Sequence, residues 1–263
     1  MPFAWLFGII AGAIILFLAI YVVIQITSTK GIISNVETSK DIGILLNPLE
    51  IGYESGKTTL LELPKETRIY ASCNDYGDFG EQSLKVSQKS FGEWSETGIE
   101  NILYNKYIFS ENPSEGKNFI IFSKPFEFPF KIADLTFLIS TKKVYCFVNA
   151  PSEIIEEIYN LRLDENIINK TNIGGCPEES ETICFGSGNC KTIVNINNKV
   201  VSKGSKRFFY EGDALMYGAI FADYEAYECQ FKRLMKRTES LCDLYLKKAA
   251  FIMLKGCNTN LNL

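Results

Sequence analysis

No charged side chain precedes Lys30, and in the run Pro2 to Ile26, PFAWLFGIIAGAIILFLAIYVVIQI, only Gln25 is strongly polar. As a helix, such a run would measure roughly 36 Å at about 1.5 Å per residue, against a hydrocarbon core of about 30 Å. Trp5 and Tyr21 sit near its two ends, where interfacial aromatics gather. A cleaved secretory signal would need a basic start, a shorter apolar stretch and a small-x-small site after it. Here no Lys or Arg comes first, and Ala11-Gly12-Ala13 falls in mid-run. The sequence therefore predicts a single-pass transmembrane anchor over residues 1–27, with the membrane as a partner. Ala4, Gly8 and Gly12 lie four apart, a spacing that lets a second helix approach closely.

The cysteines set the compartment. Cys73, Cys146, Cys176, Cys184, Cys190, Cys229, Cys242 and Cys257 all follow the apolar run, are even in number and include no C-x-x-C. Thiols this numerous without metal spacing read as disulfides of an oxidising compartment. Lys30 and Lys40 pull mildly the other way under the positive-inside rule, but long domains translocate largely regardless of charge. The body is thus expected outside the cytoplasm, at the cell membrane, and Asn169-Lys170-Thr171 is a sequon open to glycosylation there. Within one long C-terminal helix, Cys229 and Cys257 would lie about 42 Å apart, too far to pair. The expected bridges therefore run among Cys73, Cys146, Cys176, Cys184, Cys190, Cys229 and Cys257, with at least one tying the 176–190 loop to Cys229 or Cys257. Cys242, at the edge of the helix's apolar seam, is expected to stay a free, buried thiol.

Patterning predicts an α+β fold. Residues 28–46 lack proline and read as a helical stalk continuing the anchor. Residues 47–150 form a β-rich domain, a sandwich or partial barrel, with strands near 57–63, 67–73, 83–87, 107–110, 118–123, 136–140 and 144–148. Pro125 and Pro129 place SKPFEFPF at an edge or a bulge. Residues 151–263 form an α+β region: a helix over 151–163, a polar cysteine-bearing loop over 164–190, a hairpin turning at Asn197-Asn198, and a long helix over 222–254. In that last helix Tyr224, Phe231, Thr238, Tyr245 and Ile252 recur every seven residues, with Tyr227, Leu234 and Leu241 three further on. Lys232 to Arg237 then read as a wet basic face.

Chemistry is sparse. There is no histidine, which removes Ser-His-Asp and Cys-His nucleophile systems and imidazole metal sites. Gly52 to Thr58 has three residues between its glycines where a phosphate loop needs four, so it reads as a turn. Asp78-Phe79-Gly80 copies a kinase triplet in a chain that cannot hold H-R-D, and Gly186-Ser187-Gly188 lacks the nucleophile-elbow spacing. Cys176, Cys184 and Cys190 are spaced too widely for a zinc knuckle. Lys plus Arg total 27 against 31 acids, a net charge of −4 that gives no basic field for nucleic acid. No catalytic, cofactor or metal residue is nominated.

The opening FAWLFGIIAGAIILFLAIY resembles the N-terminal helix of archaeal type IV pilin-like proteins, and the remainder, with SKPFEFPFK and YECQFKRLMKR, resembles uncharacterised single-span surface proteins of small-genome archaea. The first resemblance implies an apolar helix leading into a stalk that packs on a β-rich head. The expected function is a membrane-anchored extracytoplasmic structural or interaction protein of the cell surface, pilin-like or an assembly component, binding a protein partner through the anchor or the ectodomain. The competing expectation is an anchored hydrolase of surface polymers working with carboxylates alone.

Overall fold

Apolar residues run on without alternation through NFIIFS and TFLIS, a pattern suited to strands covered on both faces. The computed structural model describes residue 5 and residues 7–23, 58–90, 92–98 and 100–256, and it places both runs inside a seven-stranded sheet. The order is β3 (Glu93–Trp94), β2 (Glu81–Ser90), β1 (Thr58–Asn74), β6 (Ser114–Glu127), β7 (Lys131–Ser140) and β5 (Tyr107–Phe109), with β4 (Asn101–Leu103) also on β2. Only the β5–β7 pair is parallel. Along β6, Phe119 and Ile121 join a cluster with Leu61, Leu84 and Leu138, while Ile120 and Phe122 join the opposite one with Phe109 and Phe137. Pro125 pairs with Asp134 of β7, beyond the described stretch where β1 pairs with β6. The two strands expected at 57–63 and 67–73 are one, because β1 takes up its Pro64 turn as a register shift between Glu62 and Thr67.

A second, six-stranded sheet follows in the order β13 (Lys206–Phe209), β12 (Val200–Lys203), β11 (Thr192–Asn195), β10 (Glu181–Phe185), β8 (Tyr145–Val148) and β9 (Ile167–Lys170). From β11 to β9 neighbours run parallel. The described helices are α1 (residues 7–23), α2 (Ser152–Asn160), α3 (Gly212–Phe221) and α4 (Tyr224–Leu254). α2 is the crossover joining β8 to β9. From β10 to β11 only residues 186–191 intervene, where parallel neighbours usually need a dozen or more. That return is held by the Cys184–Cys190 bridge and by the Lys191 N–H donating to Thr182 Oγ1 at 3.1 Å. A Cβ at Gly188 would collide with Cys184 Sγ.

The two sheets share a core with α3 and α4. Every residue of α3 from Ala214 to Phe221 is buried. Phe122 stacks on Phe137 with centroids 4.6 Å apart, and Tyr145 meets Phe221 edge-on at 5.0 Å. Such ring pairs add roughly 0.5–1.5 kcal/mol each beyond area burial. Gly218 lets α3 lie against β5, since a Cβ there would come within 2.6 Å of the Phe109 ring.

The membrane-spanning expectation is corrected. Among the described residues, no helix is long and apolar enough to cross a membrane. The α+β class, the β-rich domain and the long C-terminal helix are all present. The expected stalk over 28–46 lies outside the described residues, as do Ala4 and Cys257. The described glycines of the proposed helix-packing face, Gly8 and Gly12, have no described atom within 4 Å of where a Cβ would sit.

Candidate functional site

The basic run on α4 is put to structural use. Arg233, Lys236 and Arg237 follow i, i+3, i+4 spacing and so share a face, and that face meets the loops at one end of the first sheet. Arg233 Nε donates to Phe79 O at 3.0 Å, and its Nη1 donates to Lys106 O at 2.8 Å and Gln230 Oε1 at 2.9 Å. Lys236 Nζ donates to the carbonyls of Asp75 (2.6 Å) and Gly77 (3.0 Å), and Arg237 Nε to that of Ile132 (2.8 Å). Gln230 Nε2 donates to Gln82 Oε1 and to Ile108 O. Arg233 is fully buried, lies over the Tyr107 ring and has its pKa drawn down by burial. The expectation of a wet basic face is therefore corrected: main-chain carbonyls take up three of these cations.

Beside this clamp the Cys73–Cys229 bridge joins β1 to α4, with Cα atoms 6.1 Å apart. An open groove of about 370 Å³ runs along it, walled by Asp75, Tyr76, Glu225, Glu228 and Lys232. Lys232 is tied to Glu228 at 3.0 Å, one turn away. The Tyr76 N–H donates to Asn74 Oδ1 at 3.0 Å, a turn that leaves the Tyr76 side chain 83% exposed. Phe79 and Tyr104, on the loops held by Arg233 and Arg237, are exposed as well.

A smaller cavity of about 180 Å³ opens where β12 ends against the turn between α3 and α4. Lys203 lies in it, half-buried, donating to Ala222 O at 2.8 Å with its ammonium 5.2 Å from the Phe208 ring centre. Burial pushes its pKa down to about 8 against the opposing pull of Glu111, Asp223 and Glu181. Tyr145, also on the wall, is shifted well upward by burial and by those same carboxylates, so its hydroxyl keeps its proton. Each acid is already engaged: Glu111 by Lys143, Glu181 by Lys191 at 3.1 Å, and Asp223 by the Asn112 N–H at 2.7 Å.

Comparison with protein-family models, curated proteins and solved structures finds no match to this chain. The pilin-like resemblance therefore rests on the N-terminal residues alone.

The cysteines pair as Cys73–Cys229, Cys146–Cys176 and Cys184–Cys190, at distances that fit disulfide bonds. No bridge runs from the 176–190 loop to Cys229: the loop cysteines are taken by β8 and by each other, and Cys229 faces β1 instead. Among the described residues Cys242 has no sulfur partner, and it is half-buried. Asn169 is exposed on the edge strand β9. Lys203 carried no site signal in the sequence. Gln230, Arg233 and Arg237, at i, i+3 and i+7, trace a polar stripe beside the apolar seam, and that spacing was the one available clue.

Proposed function

We propose that this chain is an extracytoplasmic structural or interaction protein of the cell surface, which meets a protein partner at the groove beside Cys73–Cys229. The observation that carries this reading is the joint fixing of that groove by a disulfide and by two cations, Arg233 and Lys236, bound to carbonyls of the 75–79 loop, with Tyr76 left outward. An enclosed reaction site would bury its aromatic residues, whereas a recognition surface presents them on a rigid base. Three cystine pairs support an oxidising compartment. Asp75 and Glu225 give the groove an acidic edge that suits a basic partner segment. A carboxylate hydrolase is less well supported, because the acids gathered around the Lys203 cavity are each held by a lysine or a main-chain donor.

The test has two arms. A membrane-impermeant amine reagent should label exposed Lys117 and Lys232 on intact cells, and the six paired cysteines should resist alkylation until reduced. Labelling that requires lysis, with freely alkylated thiols, would overturn the extracytoplasmic reading. Crosslinking in those cells should trap a partner that Tyr76→Arg or Glu225→Arg releases while the fold melts unchanged. A partner retained by both variants would remove the groove from the account.

A further inference from the structure

We propose that Lys203 is a covalent capture site for small uncharged aldehydes or ketones, which enter the cavity between β12 and the α3–α4 turn and form an imine with Nζ. The inference is independent of the recognition groove. An amine attacks a carbonyl only through a free lone pair, and most protein lysines lack one because they are hydrated, protonated or paired with an acid. Lys203 is less hydrated and has no acid in ion-pair contact among the described residues. It is half-buried, it donates to one carbonyl, Ala222 O, and none of the described ion pairs includes it. Lys203 lines a cavity of about 180 Å³, room for a molecule of a few heavy atoms rather than a polymer.

The walls select the guest. Glu111, Glu181 and Asp223 line the cavity with Lys191; Lys191 pairs with Glu181 and Lys143 with Glu111. That leaves, among the described residues, Asp223, held by a main-chain N–H, as the carboxylate without a lysine partner that a keto acid or other anionic carbonyl would meet on entry. Ile183 and Ile220 supply an apolar patch for a short carbon chain, and the Tyr145 hydroxyl is a proton donor for a carbonyl oxygen. The downward shift of Lys203 to about 8 adds to this geometry, because roughly a tenth of the amine is then unprotonated at pH 7.

The step balances without an oxidant or a reductant. The Nζ lone pair forms the C–N bond as the carbonyl π pair moves to oxygen, and a proton passes from nitrogen to that oxygen to give a carbinolamine. The C–O bond then breaks as the hydroxyl takes a proton from the wall and leaves as water. The nitrogen of the resulting iminium returns a proton to the wall. One amine and one carbonyl become one imine and one water.

The experiment uses the full chain with its disulfides intact, at pH 7. Glycolaldehyde (uncharged) and glyoxylate (anionic) are supplied separately with cyanoborohydride, which reduces any imine to a stable secondary amine. Peptide mapping then gives the rate at Lys203 relative to the exposed Lys117. The expected result is at least a tenfold preference for Lys203 with glycolaldehyde, lost with glyoxylate and lost in reduced, urea-unfolded protein. No preference with glycolaldehyde overturns the proposal. A preference that persists with glyoxylate overturns the selection of uncharged guests, and one that survives unfolding assigns the effect to local sequence instead of the cavity.

Discussion

Arg233 and Lys203 are both cations withdrawn from water without a carboxylate in ion-pair contact, and the protein treats them in opposite ways. Arg233 is fully buried: Phe79 O, Lys106 O and Gln230 Oε1 take up its Nε and Nη1, the Tyr107 ring covers one face, and Nη2 is left without a partner among the described residues. Lys203 has one carbonyl and a cavity. A guanidinium cannot shed its proton, so it must be solvated permanently by fixed acceptors before it can be buried. An ammonium can answer burial by losing its proton, and a pKa near 8 shows that tendency. The difference separates a side chain that builds the structure from one that the structure leaves reactive.

The largest expected effect falls on the Arg233 side. Arg233→Ala strands the carbonyls of Phe79 and Lys106 and the Gln230 amide in a dry site, and should cost about 4 kcal/mol in urea unfolding. Arg233→Lys should recover less than half of that, because a point charge cannot serve three divergent acceptors. A loss below about 1 kcal/mol for Arg233→Ala would break the comparison, since it would mean water already solvates the site. Next in size, Cys73→Ser with Cys229→Ser should cost about 3 kcal/mol by freeing a crosslink between residues 156 apart in sequence. It should also raise hydrogen exchange at Asn74 to Gly80, the turn that Lys236 and Arg233 hold.

Lys203→Met should have the opposite sign. Its pKa is about 8 when folded and 10.5 in the unfolded chain. Below pH 8 both states carry the proton, and the folded state bears the full cost of the buried charge. Between about pH 8 and 10.5 the unfolded state binds more protons, so the stability of the natural protein rises with pH. Above that range both states are neutral and the cost is gone. The ceiling is about 3 kcal/mol, and loss of the Ala222 hydrogen bond offsets about 1, so Met should stabilise by about 2 kcal/mol at pH 7. That gain should vanish by pH 10.5. A constant difference across the range would show that Lys203 is not desolvated.

How legible this was in the sequence follows from what each residue signals locally. The α4 seam was readable because Tyr227, Leu234 and Thr238 are buried at the predicted spacing. α3 was missed because GDALMYGAIF is buried on all sides and has no polar face to set a period. β10 was hidden in a polar loop: ETICF is short, and its partners β8 and β11 run parallel to it across crossovers that leave no hairpin signature. The groove could not be read, because Cys73 and Cys229 belong to distant segments and the clamp's acceptors are backbone carbonyls, which have no residue type. The membrane reading came from composition alone, and among the described residues no helix is long and apolar enough to cross a membrane.

The smallest effect is the most discriminating test of the Lys203 cavity. Glu111, then Asp223, then Glu181 raise the Lys203 pKa, in that order of strength, against a larger lowering by burial. Each acts on Lys203 through space across the cavity, since none of the described ion pairs includes Lys203. Glu181→Gln should therefore lower the Lys203 pKa slightly and Glu111→Gln should lower it more, with unfolding stability nearly unchanged in the first case because Glu181 and Lys191 are both substantially exposed. Glu111→Gln also frees Lys143, a cation that already lowers the Lys203 pKa, so the two changes reinforce each other. Carbon-detected titration of labelled lysine side chains reads these shifts directly. An upward shift in either variant would place Lys203 outside the reach of these acids and leave the selection of uncharged guests without its physical basis.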